Sequence, residues 1–376
     1  GMSHEIVIVG GGIGGMTLAH AAARAGMGVT VVEASHRDDQ QGTGISLLGN
    51  ALRALDEVGL ADAVIGRGTG WDVVSNRDGA GNVVHEVRPP RTFRPDAPGA
   101  IGVMRTDLAE VLGEHAVASG AEVRDRTTVT TFENTAGGVE YELSDGTSGR
   151  CDVLVAADGV YSQTRAAAFG AELAPQYVGT GAWRFTVERP ANIDGLAMYH
   201  SRTGSMVGCL PLRDDLCYFF SLEHSAERPR FDDADLRATF RERLAVFDAP
   251  EIREVAELVD SDRYLTFRPF DALLVPAPWH RERVVLIGDA AHSLTPQLTS
   301  GGGMAIEDAV VLAAELARTD AVTDALAAYS ARRFDRVKAI YDTSCAICEV
   351  EQQPQPDPER ALELMMRGHA VLAQRY

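Results

Sequence analysis

The chain has 376 residues, with 35 Lys plus Arg against 54 Asp plus Glu and a formal net charge of −19. That excess of negative charge argues against nucleic acid and anionic membrane surfaces as partners. The apolar fraction of 45% suits a globular core, and no apolar run reaches membrane-spanning length. Glu5–Val9 (EIVIV) reads as a buried parallel strand, 16–25 as a helix stopped by Gly26, and 29–33 as a second strand. Together they make a βαβ unit of about 30 residues. Gly10, Gly12 and Gly15 fit G-x-G-x-x-G: a tight turn, close approach of a pyrophosphate, and close helix–strand packing. Ile13 and Gly14 complete the turn, whose free amides and helix dipole favour phosphate. Glu33 lies eighteen residues past Gly15, where an acid accepts from a ribose 2′-hydroxyl and repels a 2′-phosphate. The first nucleotide is then an unphosphorylated adenosine, of FAD or NAD rather than NADP.

Residues 44–60 read as a short strand, a turn and a helix stopped by Gly59. Alternating strands and a proline-rich loop fill 71–100. Arg105–Ala118 reads as a helix with Thr106 as its N-cap. A turn at Asp145-Gly146 separates two strands. Over 176–275 the chain becomes strand-like and aromatic, with Trp183, Phe185, Tyr199, Tyr218, Phe219 and Phe220, interrupted by a charged helix at 232–247. From 282 the α/β style returns, and a short helix ends the chain. Five scattered cysteines point to a reducing cytoplasm, consistent with a first strand that begins without a signal peptide. Cys345 and Cys348 have redox spacing but sit in a helical stretch, so packing is the expected role. The ten histidines show no metal-ligand spacing, and no metal is expected.

Two further stretches carry chemistry. In CDVLVAADGVYSQTR an apolar strand runs into Asp158-Gly159. In RVVLIGDAAHSLTPQLTSGGGMAIEDAVVLAAEL a strand runs into Gly288-Asp289; Pro296 and three glycines at 301–303 follow, then a long helix from about Met304. Three strands thus end in small, acidic, glycine-bearing turns, as the carboxyl ends of a parallel sheet do when they converge on one ligand.

Taken together, these motifs resemble the class A FAD-dependent aromatic monooxygenases of the p-hydroxybenzoate and salicylate hydroxylase type. Supporting matches are NALRALDEVGL at 50–60, Arg105 in VMRTDL, and Trp183-Arg184. The resemblance implies an α/β fold. A Rossmann-like FAD-binding domain is assembled from 2–70, 100–175 and 276–340. A β-rich substrate domain, inserted as in p-hydroxybenzoate hydroxylase, comes from 71–99 and 176–275. A helical tail covers 341–376. It implies tightly bound, non-covalent FAD, with NAD(P)H as a transient co-substrate that binds without a second fingerprint. Asp289 would bind the ribityl hydroxyls and Arg105 the phosphate and ribityl region. Asp158 would link cofactor and nicotinamide path. Gly301, Gly302, Gly303 and Met304 would reach the flavin pyrimidine and stabilise negative charge there.

The same resemblance implies hydroxylation of a small aromatic or heteroaromatic substrate by O2 through a flavin C4a-hydroperoxide, in a cytoplasmic monomer or homodimer. A reductase or dehydrogenase of the same fold, without oxygen transfer, is the alternative. Pro296 matches the family proline beside flavin and substrate. Arg184, Phe185, Tyr199, His200, Phe220 and Gln297 are candidates to line the pocket, with His200 as general base. The loop Leu298-Thr299-Ser300-Gly301 replaces the commoner Gly-Gln-Gly form, which leaves open which amides meet the flavin.

Overall fold

The computed structural model describes residues 4–35 and 42–376. The strand Glu5–Val9 lies inside a six-stranded sheet, flanked in parallel by Val153–Ala156 and Gly28–Glu33. Val284–Leu286 and Glu122–Asp125 extend it in parallel on either side, and His280–Arg281 closes one edge antiparallel. All four residues of Val153–Ala156 and all three of Val284–Leu286 are buried. Such uninterrupted apolar strands fit a sheet covered on both faces. Ile13–Arg24 is the crossover helix; it ends before Gly26, whose φ of +93° a residue with a side chain rarely adopts.

An eight-stranded sheet forms the second layer. Its order runs His292–Ser293, Leu265–Leu274, Gln176–Glu188, Leu216–His224, Met206–Arg213, Leu196–His200, Val74–Asp78 and Val83–Val87. A smaller sheet of Gly44–Leu48, Ala100–Met104 and Thr69–Trp71 lies at the junction. Period-two alternation decides what faces the junction. Trp183, Phe185, Val187, Tyr199, Cys209, Cys217 and Phe219 point away from it into a core with the helices Asp233–Leu244 and Pro250–Ala256. Arg184, Tyr218 and Phe220 take the other face. Phe185 and Tyr199 therefore do not line a pocket with Arg184. Tyr199 instead donates to Glu251 at 2.5 Å and accepts from Arg77 at 3.1 Å.

Phe240 is the keystone of the outer core. It stacks on Trp183 (centroids 5.4 Å, 24°) and meets Phe185 edge-on (5.7 Å, 64°), with no solvent exposure. Phe240→Ala is expected to cost about 3–5 kcal/mol in a urea titration, because removal leaves a cavity between rigid rings.

Two local expectations change. The helix Arg105–Ala118 starts with Met104 at its cap position, and Thr106 sits inside the first turn. The long helix Gly301–Arg318 begins three residues earlier than expected, so all three glycines belong to its first turn. Glycines lower helix propensity but do not prevent a start that packing fixes. The helical stretch expected around Cys345 is Val322–Glu351, and the terminal helix is Pro358–Ala373, 16 residues long. Cys345 and Cys348 lie on the first of these, and burial pushes the Cys345 thiol up to about 11. No helix among the described residues is long and apolar enough to cross a membrane.

Candidate active site

Four loops meet above the carboxyl end of the parallel sheet. Gly10 has φ +113°, and a β-carbon there would lie 2.1 Å from the Ala157 carbonyl oxygen. One at Gly15 would lie 2.0 Å from the Gly10 carbonyl oxygen. Both glycines are therefore demanded by close approach. Across the same point, β-carbons at Gly14 and Gly288 would lie 3.4 and 3.3 Å from Ala305 Cβ. The fingerprint turn, the turn after Val153–Ala156, the Gly288-Asp289 turn and the glycine-rich helix start thus share one site. Gly15→Ala should push the turn open: the dinucleotide retained through gel filtration should fall well below the wild-type stoichiometry, read from its absorbance.

Glu33 closes one end of this cradle, accepting from the Gly11 amide (2.5 Å) and from the Ser35 amide and hydroxyl (3.2 and 3.1 Å). Asp289 lies deep between the loops with its carboxylate open to the cleft. Burial raises its pKa; His292 and Arg105 oppose that shift. Arg105 begins its helix beside Thr43, whose carbonyl takes the Arg105 amide at 2.9 Å. Burial and the neighbouring Arg184 lower the Arg105 pKa, and Tyr218 and Asp289 pull it back.

A buried charge network fixes this geometry from behind. Asp308 accepts from the Gly288 amide (2.9 Å), His292 Nε2 (2.5 Å) and Arg333 Nε (2.7 Å). Glu307 accepts from Arg333 and Arg336 at 2.8 Å each and from Asn50 at 2.9 Å. Glu307, Asp308 and Arg333 have no solvent exposure.

A family model described as FAD binding domain matches residues 3–344. The chain is 32% identical over 378 residues, all of both chains, to the provisionally named FAD-dependent monooxygenase YetM of Bacillus subtilis (strain 168). The chain belongs to the FAD-dependent monooxygenases. It is also 30% identical over 348 residues to 3-hydroxybenzoate 6-hydroxylase 1 of Aquipseudomonas alcaligenes, across 90% of this chain and 87% of that one. The solved structure of Klebsiella pneumoniae HpxO complexed with FAD and uric acid superposes with a TM-score of 0.83 at 27% identity, covering 98% of this chain and 92% of that one.

The cradle of this FAD-dependent monooxygenase fits a dinucleotide by its own geometry. Where β-carbons would stand on Gly12 and Gly301 there is open space, with no atom within 4 Å. Gly302 is packed instead: a β-carbon there would lie 2.8 Å from Ile45 Cδ1 and 3.8 Å from Ile13 Cδ1. Met304 is fully buried beneath the helix start. Gly303 packs against Asn50 and Ala51.

The remaining expected residues scatter more widely. Asp158 accepts from Ser162 Oγ (2.5 Å) and from the Thr164 hydroxyl and amide (3.1 and 3.3 Å), holding the start of the helix Gln163–Phe169. Pro296 opens the short turn Pro296–Leu298. His200 shares the junction-side face with Arg184 but stands three strands away, about 14 Å at the usual strand spacing. It is exposed, and its ring nitrogen pairs with Asn76 at 3.1 Å. The sheet therefore does not bring His200 to Arg184.

Sequence reasoning missed three groups. Arg165, within the quoted Asp158 stretch, donates to the Ala290 carbonyl (3.0 Å) and the Val160 carbonyl (2.9 Å), tying two of the loops together. Tyr264 and Thr266 bring hydroxyls that are buried without a partner. Nothing in their local sequence marks them; only strand order does. Arg333 and Arg336 pair with Glu307 and Asp308 nearly a full helix away in sequence.

Proposed function

We propose that this protein uses FAD, NAD(P)H and O2 to hydroxylate a small aromatic or heteroaromatic ring held between the cradle and the eight-stranded sheet. The observation that carries this reading is the convergence of four loops on one open cradle, faced by Arg184, Tyr218 and Phe220. Relatives named for 3-hydroxybenzoate and urate hydroxylation support a compact ring as substrate.

Bound FAD supplies two-electron exchange with nicotinamide and the activation of O2. The chain's own residues hold, orient and shield. Gly12 and its helix start would take the pyrophosphate, Glu33 the adenosine ribose, Asp289 the ribityl hydroxyls, and Arg105 the phosphate side. The free amides at Gly301–Gly303 would offer the positive end of an 18-residue helix to the pyrimidine edge of a bound flavin, the Met304 amide being held by the Ser300 carbonyl at 2.9 Å. Apolar side chains at the junction, Leu48, Leu210, Leu212 and Phe220, keep water from the reacting ring.

The test is stoichiometric. With a ring substrate that stimulates turnover, NAD(P)H and O2 should disappear in equal amounts, and one oxygen atom from labelled O2 should appear in the product. Nicotinamide oxidation with an artificial acceptor, and no labelled product from any ring tested, would favour the reductase reading.

A further inference from the structure

The end of the helix Pro358–Ala373 is held by two arginines from elsewhere in the fold. A helix leaves its final carbonyls without intrahelical donors and ends on the negative side of its dipole. Arg53, on the helix Gly49–Glu57, donates to the Leu372, Ala373 and Gln374 carbonyls at 3.4, 3.3 and 3.0 Å. Arg336 donates to the Val371 and Gln374 carbonyls at 2.8 Å each and to the Leu372 carbonyl at 3.3 Å. Tyr376, two residues on, packs against the main core. Its ring lies 5.7 Å from Arg333 Cζ and 5.8 Å from Arg336 Cζ, and its hydroxyl is buried beside the Glu57 carboxylate.

Arg333 is the centre of the network behind the cofactor loops. Its nitrogens are all engaged: Nε with Asp308, Nη1 with Glu307 and Nη2 with the Met304 carbonyl at 3.4 Å. Asp308 also takes the Gly288 amide. One guanidinium thus joins the first turns of Gly301–Arg318 to the Gly288-Asp289 turn. These bonds lie in the guanidinium plane and leave its faces open, and the Tyr376 ring is the aromatic set against it. Arg333 has no solvent exposure, and a cation–aromatic contact is worth more when desolvated than at the surface. Packing alone asks only for an apolar group at this place. The bonds from Arg53 and Arg336 to the preceding carbonyls fix where the ring stands.

We infer that Tyr376 is a positioning residue for the flavin. Held in place through Arg53 and Arg336, its ring fixes Arg333, and Arg333 fixes the start of Gly301–Arg318 against the Gly288-Asp289 turn. This rests on the reading above that the same helix start meets the flavin pyrimidine. Reduced flavin carries negative charge at that edge, where the helix dipole acts on it. A helix start that shifts therefore weakens reduced FAD more than oxidised FAD, whereas a loss of general stability weakens both alike.

The experiment compares wild type, Y376F and Y376L as full chains. Each apoprotein is titrated with FAD by calorimetry, and the midpoint potential of the bound flavin is read by dye-coupled reduction. Y376F keeps the ring and should match wild type in both measurements. Y376L keeps an apolar side chain but presents no aromatic face. Its Kd for oxidised FAD should rise about fivefold to thirtyfold, the range of a desolvated cation–aromatic contact. Its hold on reduced FAD should weaken by about a further tenfold, which lowers the midpoint potential by about 30 mV for a two-electron couple. A Y376L that matches Y376F in both measurements overturns the inference. So does one that weakens oxidised and reduced FAD equally and leaves the potential unchanged, because that is the mark of lost stability alone. Where Y376L fails to fold, R53Q decides in its place: it keeps the ring but loosens its hold, so a lowered potential supports the inference and a wild-type potential overturns it. A wild type that does not bind FAD fails the function proposed above. One that binds FAD, with Y376L its equal, fails only this inference.

Discussion

Asp289→Ala should purify almost free of flavin, with its FAD Kd raised about 100-fold or more, as expected for the loss of two hydrogen bonds to a charged acceptor. The measurement is the ratio of flavin to protein absorbance after gel filtration, followed by calorimetric titration of the apoprotein with FAD. The same substitution should not destabilise the apoprotein. Burial raises the Asp289 pKa above its unfolded value. An acid with a raised native pKa disfavours the folded state while ionised, and the fold gains stability as pH falls through that raised value. Removing the carboxylate removes the cost, so apo Asp289→Ala should melt at or above the wild-type temperature at neutral pH. An apoprotein that melts well below wild type would instead make Asp289 a structural residue. Full flavin occupancy in the variant would remove it from the cofactor site.

Arg333→Met is the second large effect, and its sign is opposite. Burial alone would raise the pKa of both Glu307 and Asp308. Arg333 with Arg336 holds Glu307 below its ordinary value, and His292 with Arg333 does the same for Asp308. Carboxylates with depressed native pKa values contribute stability that is present above their unfolded pKa values and is lost as pH falls through the native ones. Removing Arg333 leaves two buried carboxylates without their common partner, at a cost of about 3–5 kcal/mol. Urea denaturation between pH 3 and 8 reads this directly. The wild type should lose stability on acidification below the normal carboxylate range. The variant should be much weaker at pH 7 and lose little more, or regain some, on acidification, because protonation then relieves unpaired charge. Asp308 also holds the Gly288 amide and His292, so the variant should bind FAD less tightly even where it remains folded. A variant as stable as wild type at pH 7 would show that the network is not what fixes the loop.

The two predictions fall on opposite sides of what the sequence makes legible. The fingerprint turn, the Asp158 turn and the Gly288-Asp289 turn each follow an apolar strand, and local rules for strands and glycine turns are enough to read them. Their convergence follows from the parallel sheet, since all three strands present the same end. Strand order in the second sheet has no such local signal. His200 and Arg184 are both on the junction face, yet three strands separate them, and alternation alone cannot tell neighbours from strangers. Phe185 and Tyr199 illustrate the other half of that problem: one position along a strand exchanges the cleft for the core. Glu307 and Asp308 were visible as acids in GGGMAIED. Their partner Arg333 lies on the next helix, and a charged residue in a helix reads as surface unless its tertiary partner is known. Thr106 reads as a cap because its residue type favours caps, but the strand Ala100–Met104 runs directly into the helix and puts Met104 at that position instead. The low helix propensity of the glycines at 301–303 likewise puts the expected helix start at about Met304. Packing of Gly302 against Ile45 and Ile13 shows why small residues are needed within a helical turn.

A crystal structure of the FAD-loaded protein tests the central claim most directly. The adenosine ribose should lie at Glu33, the pyrophosphate over Gly12, the ribityl chain beside Asp289, and the isoalloxazine between the Gly301–Met304 helix start and the face that carries Arg184. A dinucleotide found elsewhere on the molecule, or one whose ring turns away from that helix start, would contradict the account.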